Sequence, residues 1–475
     1  MAMTEHVEIT PFRFRELAGN LLITNEAGEY GAFEPGALDR LFSDNLTEEE
    51  RTKLLDLSIL IDPAAEWRLA SLMRRVRHNT KKTEARLSYL IIVPTLRCDL
   101  SCSYCQVSRA PLDAPGFDWT EEQLIQFARF LDNVEGDRLK LEFQGGEPTL
   151  RPDLLRRIID LCEARFSETQ FVICSNLTRL TPEIEEIIAR DDVIVSTSID
   201  GPLTVMTSNR TGADDVSRAV LNHFHHIVRT YGSDKVSALP TITDAIIDDP
   251  KALIDCYVEC GLHSIFLRPV NYQGFARKRY ADLSREIDRW SAFYRQALSY
   301  IAELNKSGYF EEFYLALLVR SIFAGLPHGY VDFRSPARFG FGYCVIDFDG
   351  RIYPTDEARM LSRIGQIDLA IGDLPTGIDP GKLEELNLHA IHQVNQDCQH
   401  CVYMPYCGID VVDDISRYGR IDVPKHETWF CNRQTMLFDL IFEKVIARDR
   451  PWIDMFSKWV FHSAAPVPAY ELFHD

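Results

Sequence analysis

The chain is 475 residues long with a formal charge of −20, and 46% of its residues are hydrophobic and 26% charged. That length leaves room for two or three domains and a large buried core. The acidic balance argues against a nucleic-acid backbone as the main partner, because such binders present a net basic face. The basic run from Arg68 to Lys82 reads as a solvated helix face. No stretch of about 18 consecutive apolar residues is present, so no membrane span is expected. Met1 to His6 lacks the basic-then-apolar layout of a signal peptide. The twelve cysteines are therefore expected to be metal or redox ligands in a reducing cytoplasm rather than disulfide partners.

Residues 1–85 read as a separate α+β domain. Asn20–Asn25 and Glu29–Phe33 flank Glu26-Ala27-Gly28, a hairpin signature with a glycine free to take positive φ. Glu34–Asp62 and Ala65–Asn79 carry helical periodicity, with Thr47 and Glu50 forming a capping box. Such a unit is either a peptide-recognition element, taking a strand at an exposed sheet edge, or a structural cap.

Residues 86–310 alternate strands and helices, the pattern of parallel β/α units. The expected strands are Tyr89–Pro94, Leu139–Gln144, Gln170–Cys174, Val193–Ile199, Val236–Ile242 and Ser264–Arg268. Helices are expected at Thr120–Asn133, Pro152–Ser167, Thr181–Ala189, Asp214–Thr230 and Pro250–Cys260. Six units predict an α/β fold with a partial (β/α)6 barrel, whose chemistry sits at the C-terminal strand ends. Beyond it, helices are expected at Glu311–Phe323, Arg433–Val445 and Trp452–Trp459.

Cys98, Cys102 and Cys105 form a C-x3-C-x2-C motif just after the first strand. Three thiolates this close can hold three corners of a cubane iron–sulfur cluster, and the missing fourth ligand leaves one iron open to a small molecule. The alternative is zinc, which usually takes four ligands in paired spacings; here no fourth Cys lies nearby, and the nearest downstream His is His223. The Gln144–Thr149 run after the second strand contains Gly145, Gly146 and Glu147. Glycines there let backbone approach a ligand closely, and a carboxylate can accept bonds from an ammonium group. A guanidinium such as Arg210 suits a carboxylate.

These motifs together resemble the radical S-adenosylmethionine (SAM) superfamily. The resemblance implies a [4Fe-4S] cluster on Cys98, Cys102 and Cys105 with one open iron site. It also implies SAM held by Tyr104, Gly145, Gly146, Glu147, Ser198 and Arg210, with Asn176 and Leu267 lining the nucleoside. One electron from the reduced cluster would split SAM into methionine and a 5′-deoxyadenosyl radical that abstracts hydrogen from an unactivated carbon.

Cys398, Cys401 and Cys407 give C-x2-C-x5-C, and Cys431 adds a fourth thiol. Four cysteines suit either a whole cluster or a closed zinc site. After a radical SAM core the set resembles the SPASM extension of peptide-modifying enzymes, which implies an auxiliary [4Fe-4S] cluster. Two ligand positions of a full SPASM region are replaced here, by Thr355 and Val411, so one auxiliary cluster is expected and a second, using Cys344 with Asp410, is not. The SPASM resemblance makes Asp356 and Glu357 candidates for the base that removes a substrate proton; otherwise Asp356 is a cap on Glu357–Leu361. Cys162, Cys174, Cys256 and Cys260 read as buried structural thiols.

The overall pattern thus resembles a partial radical SAM barrel (86–310) between a winged-helix-like domain (1–85) and a SPASM-type cysteine-rich extension (311–475). More narrowly, Phe12–Arg15, Leu21-Leu22 and the Asp349–Arg359 run resemble the His-Xaa-Ser system maturase B family. That implies a maturase of a small ribosomal precursor peptide with His-Xaa-Ser repeats, one that removes two hydrogens to form a side-chain crosslink. Its partners would be an electron donor such as flavodoxin or ferredoxin and, in some systems, a second radical SAM protein. The competing expectations are oxidation of a protein Cys or Ser, as in sulfatase maturation, and a non-catalytic iron–sulfur or zinc scaffold.

Overall fold

The computed structural model describes residues 8–61, 66–81, 86–272, 274–278, 286–325 and 338–461. Asp62, Ala65, Lys82 and the tail Glu471–Asp475 lie outside them.

Its centre is a nine-stranded mixed sheet. Four adjacent parallel strands, Tyr89–Thr95, Arg138–Gly145, Glu168–Cys174 and Val193–Thr197, form the predicted barrel wall, and Val236–Ala238 extends it. Amphipathic helices cover its outer face: Glu121–Asp132, Pro152–Arg165, Pro182–Ile188 and Asp214–Tyr231. Their caps follow the sequence, for Thr120 accepts from Gln123 N and Thr181 from Ile184 N. Leu139, Leu141 and Phe143 are fully buried on the helix side. Lys140, Glu142 and Gln144 alternate with them and face inward.

The far side of the barrel is less regular than the sequence predicts. The expected strand Val236–Ile242 is interrupted at Pro240, which has no N–H to give the ladder. Ser264–Arg268 is likewise split. Their remnants form two separate parallel pairs, Thr241–Ile242 with Arg268–Pro269 and Ser264–Ile265 with Glu311–Glu312. On the other flank, Tyr343–Ile346 pairs in parallel with the first barrel strand, placing Cys344 beside Leu90. Cys344 is wholly buried in the core.

The N-terminal hairpin, Asn20–Asn25 with Tyr30–Phe33, gains a third strand, Phe12–Leu17. Glu8–Ile9 pairs with Leu60–Ile61, ending the expected helical run after helices Ala37–Phe42 and Glu48–Asp56. The Thr47–Glu50 capping box forms. The last two helices are Trp429–Ile446 and Arg450–Phe461. The first of these starts four residues before the expected Arg433 and so takes in Cys431. Among the described residues no helix is long and apolar enough to cross a membrane.

Candidate active site

A cavity of about 770 Å³ opens at the C-terminal strand ends. Cys98, Cys102 and Cys105 line it from the loop that follows Thr95. Burial pushes the Cys98 thiol up to about 12 and raises that of Cys102 as well. Desolvated thiols of this kind gain from a bound cation, which displaces their protons.

The cysteine loop is clamped from three sides. Gly145 and Gly146 pass so close beneath it that a Cβ on Gly146 would lie 2.2 Å from the Arg97 carbonyl, and one on Gly145 2.3 Å from that of Thr95. Gly146 N donates to Thr95 O and Glu147 N to Arg97 O. From the end of the third strand, Asn176 Nδ2 donates to Asp99 Oδ1 at 2.8 Å and Thr178 Oγ1 to Asp99 Oδ2 at 2.7 Å. From the π-helical turn Thr207–Thr211, Asn209 O accepts from Ser103 N.

Glu147 is buried behind the residues that line the cavity. It is 1% exposed, and its carboxylate accepts from Thr149 N, Thr149 Oγ1, Ser175 Oγ and Asn176 N. Burial raises its carboxyl despite those bonds. Leu267 is also turned into the core, its N–H donated to Glu312, while Phe266 and Arg268 line the cavity. Ser198 and Arg210 line it as well. Tyr104 Oη accepts from Arg210 Nη1 at 2.6 Å and donates to Asp200 Oδ2 at 2.7 Å. Asp200 is fully buried and also accepts from Thr241 N. Sequence reading missed both Asp99 and Asp200, although each adjoins a motif residue.

Asp356 lines the cavity too, 8% exposed. It is not the helix cap: Thr355 Oγ1 caps Asp356–Arg363 by accepting from Ala358 N. Asp356 Oδ1 instead accepts from Arg359 Nε at 2.8 Å, and Arg359 has no exposed surface. Deeper in the cavity, Cys174 donates to Glu142 at 3.0 Å and Tyr89 Oη donates to the same carboxylate. Cys174, read as structural, thus faces the cavity. Cys162 is fully buried, Cys260 largely so, and Cys256 partly buried.

Cys398, Cys401, Cys407 and Cys431 come together beside the cavity, each close enough to act electrostatically on others of the set. Burial pushes Cys398 up to about 12 and Cys431 up to about 11. Trp429, Phe430 and Arg433, adjoining Cys431, form the cavity wall on that side. Cys344 is remote from the set in role, occupying a core strand, and Asp410 caps helix Val411–Tyr418. Among the described residues no three His, Cys, Asp or Glu side chains converge on a point that one metal ion would fill.

Residues 92–247, which carry the three-cysteine loop, the double glycine and Arg210, match the model of the radical SAM superfamily. An uncharacterised protein of Methanocaldococcus jannaschii is 34% identical over 117 residues, covering 24% of this chain and 39% of that protein. Molybdenum cofactor biosynthesis protein 1 of Bos taurus is 32% identical over 102 residues, covering 21% and 16% of the two chains. The chain thus spans well under half of both relatives. Among solved structures, anSMEcpe with bound AdoMet superposes with a TM-score of 0.61 at 19% identity, covering 76% of this chain and 98% of that one. The same protein with AdoMet and a Cp18Cys peptide gives 0.60 at 18% identity with the same coverage. The architecture is the radical SAM α/β fold with a helical C-terminal extension.

Proposed function

We propose that the protein is a radical SAM enzyme that modifies a ribosomally made peptide, of the His-Xaa-Ser maturase type, by hydrogen abstraction and net loss of two hydrogens to give a side-chain crosslink. One observation carries the reading. A single cavity of about 770 Å³ runs from the three-cysteine loop past Asp356 to the wall beside the second thiol set. That volume falls in the upper part of the range for small-molecule sites, about 300–1,000 Å³, and leaves space for a substrate side chain beside a nucleoside cofactor.

The residues fit the cofactors. Cys98, Cys102 and Cys105 all line the cavity and would hold a cube with one iron open toward it, while the neighbouring thiols Cys398, Cys401, Cys407 and Cys431 would close a second cube. When bound, cluster and SAM supply one-electron cleavage of the sulfonium to a 5′-deoxyadenosyl radical.

The chain's own residues do the rest. Arg210, fixed by Tyr104 and Asp200, offers a charged fork to the SAM carboxylate. Ser198 and the backbone at Gly145 and Gly146 border the same space. Glu147 positions Ser175 and Asn176 instead of touching the ligand. Asp356, paired with Arg359, and Glu357 beside it both line the cavity and are the proposed acceptors of a substrate proton. The enclosed strand ends keep water from a reactive carbon centre.

The second reading is oxidation of a Cys or Ser side chain in a protein, since anSMEcpe, of the same fold, is described with a Cp18Cys peptide. A cavity beside an open three-thiol site counts against a non-catalytic scaffold. The test is anaerobic incubation with SAM and dithionite, following 5′-deoxyadenosine. Wild type is expected to form it and the Cys98→Ala, Cys102→Ala, Cys105→Ala variant to form none; equal yields from both would refute the reading. Modification of a co-expressed peptide, against modification only of a folded protein, separates the two substrate classes.

A further inference from the structure

The N-terminal sheet docks on the second thiol set. Thr24 Oγ1 donates to Val402 O at 2.8 Å, and Tyr406 Oη donates to Gly28 O. Arg15 pairs with Asp439 at 2.9 Å, and Asp439 in turn accepts from Tyr403. These partners all belong to the Cys398–Cys407 loop or to the helix that carries Cys431.

Arg13 reaches furthest into this contact. It is 8% exposed, whereas Phe14 and Arg15 after it on the strand are exposed. Its Nε donates to Gln399 O at 2.7 Å, a carbonyl lying between Cys398 and Cys401. Nη2 pairs with Glu26 at 3.0–3.2 Å. Nη1 is buried and has no acceptor among the described residues. Leaving a buried cationic N–H without a partner costs its full desolvation, so a partner is implied. Both Arg13 and Arg15 act electrostatically on the Cys401 sulfur. The missing acceptor therefore belongs with what the thiols hold.

We infer that Arg13 is a positioning and tuning residue of the second metal centre, its Nη1–H donated to a sulfur of the bound cluster, so that the N-terminal sheet forms one wall of that centre. This rests on the reading of Cys398, Cys401, Cys407 and Cys431 as cluster ligands. A positive charge and a hydrogen bond at a cluster sulfur stabilise the reduced form more than the oxidised one, and so raise the reduction potential. The N-terminal domain would then contribute to electron transfer as well as to any peptide docking.

The experiment uses the full chain with Cys98→Ala, Cys102→Ala and Cys105→Ala, reconstituted anaerobically with iron and sulfide, so that only the second centre remains. About four irons per chain are expected; none would remove the cluster reading itself and this inference with it. In that background, Arg13→Gln is expected to shift the midpoint of an EPR-monitored redox titration to lower potential. Arg13→Lys, which keeps the charge, should restore most of the shift. Thr24→Val, which breaks an uncharged contact of the same sheet, should leave the midpoint in place. An unchanged midpoint in Arg13→Gln at full iron content would overturn the inference. So would equal loss of iron in Arg13→Gln and Thr24→Val, which would reduce the sheet to packing alone.

Discussion

Cys98, Cys102 and Cys105 lie within eight consecutive residues at the end of one strand, while Cys398, Cys401, Cys407 and Cys431 are drawn from the short helix Gln396–Gln399, the segment after it and the first turn of a later helix. The first set is held by its immediate neighbours in the barrel: the double glycine beneath it, Asn176 and Thr178 on Asp99, and Asn209 on Ser103. The second depends on a sheet nearly four hundred residues away in the chain, through Arg13 on Gln399 and Thr24 on Val402. A site on one strand end inherits the rigidity of the sheet, whereas one assembled across the chain needs tertiary contacts to exist at all. The two should therefore fail separately.

The largest effect expected is from removing the ligands themselves. Cys98→Ala, Cys102→Ala and Cys105→Ala together should remove about four irons per chain and abolish SAM cleavage. Cys398→Ala with Cys401→Ala should remove a similar amount of iron and leave uncoupled SAM cleavage in place. Iron analysis and 5′-deoxyadenosine assays on both variants check this. Loss of cleavage in the second would merge the two sites that the comparison separates.

Gly146→Ala comes next. The new Cβ would meet the carbonyls of Arg97 and Leu96 at 2.2 and 2.4 Å, backbone that cannot move without displacing the cysteine loop. A loss of about 3 kcal/mol is expected on general grounds, read by denaturant unfolding, with the first iron site impaired and the second intact. Asp200→Asn should act more gently, loosening Tyr104 and Arg210 without disturbing the thiols. SAM binding is expected to weaken about tenfold to hundredfold, equivalent to about 1.4–2.7 kcal/mol, by equilibrium dialysis.

A further effect lies in the core behind the cavity wall, at the carboxylate that holds the Leu267 N–H. Burial raises the Glu312 carboxyl from 4.5 to about 7 although Tyr294 and backbone N–H groups donate to it. A raised folded-state value means that its contribution to stability is present below about 4.5 and lost as pH rises through about 7. Glu312→Gln should therefore flatten the fall in stability across that window, by at most about 3 kcal/mol, in urea titrations at several pH values.

The barrel was legible because strand and helix patterns there are local, and the three-cysteine motif and double glycine sit beside the strands that present them. The alternation of Lys140, Glu142 and Gln144 with Leu139, Leu141 and Phe143 was also in the sequence, and it would have revealed the polar inner face with Glu142 and Cys174. Asp200 was hidden for a different reason: its role depends on Tyr104 and Arg210 meeting across the cavity. The break at Pro240 was readable from its missing N–H. By contrast, the pairing of Tyr343–Ile346 beside Tyr89–Thr95, and the docking of Arg13 on Gln399, join segments hundreds of residues apart that no local pattern connects. Asp356 illustrates the limit of a short motif, since Thr355 one position earlier took the cap and left the acid to Arg359.

The most direct test of peptide modification is the mass of the peptide. Short reading frames beside this gene would be co-expressed anaerobically with wild type and with the Cys98→Ala, Cys102→Ala, Cys105→Ala variant, and the products compared by mass spectrometry. Loss of two hydrogens per modified site with wild type alone, located to linked side chains by fragmentation, is the predicted result. An unmodified peptide beside a wild-type protein that holds iron and cleaves SAM would contradict it.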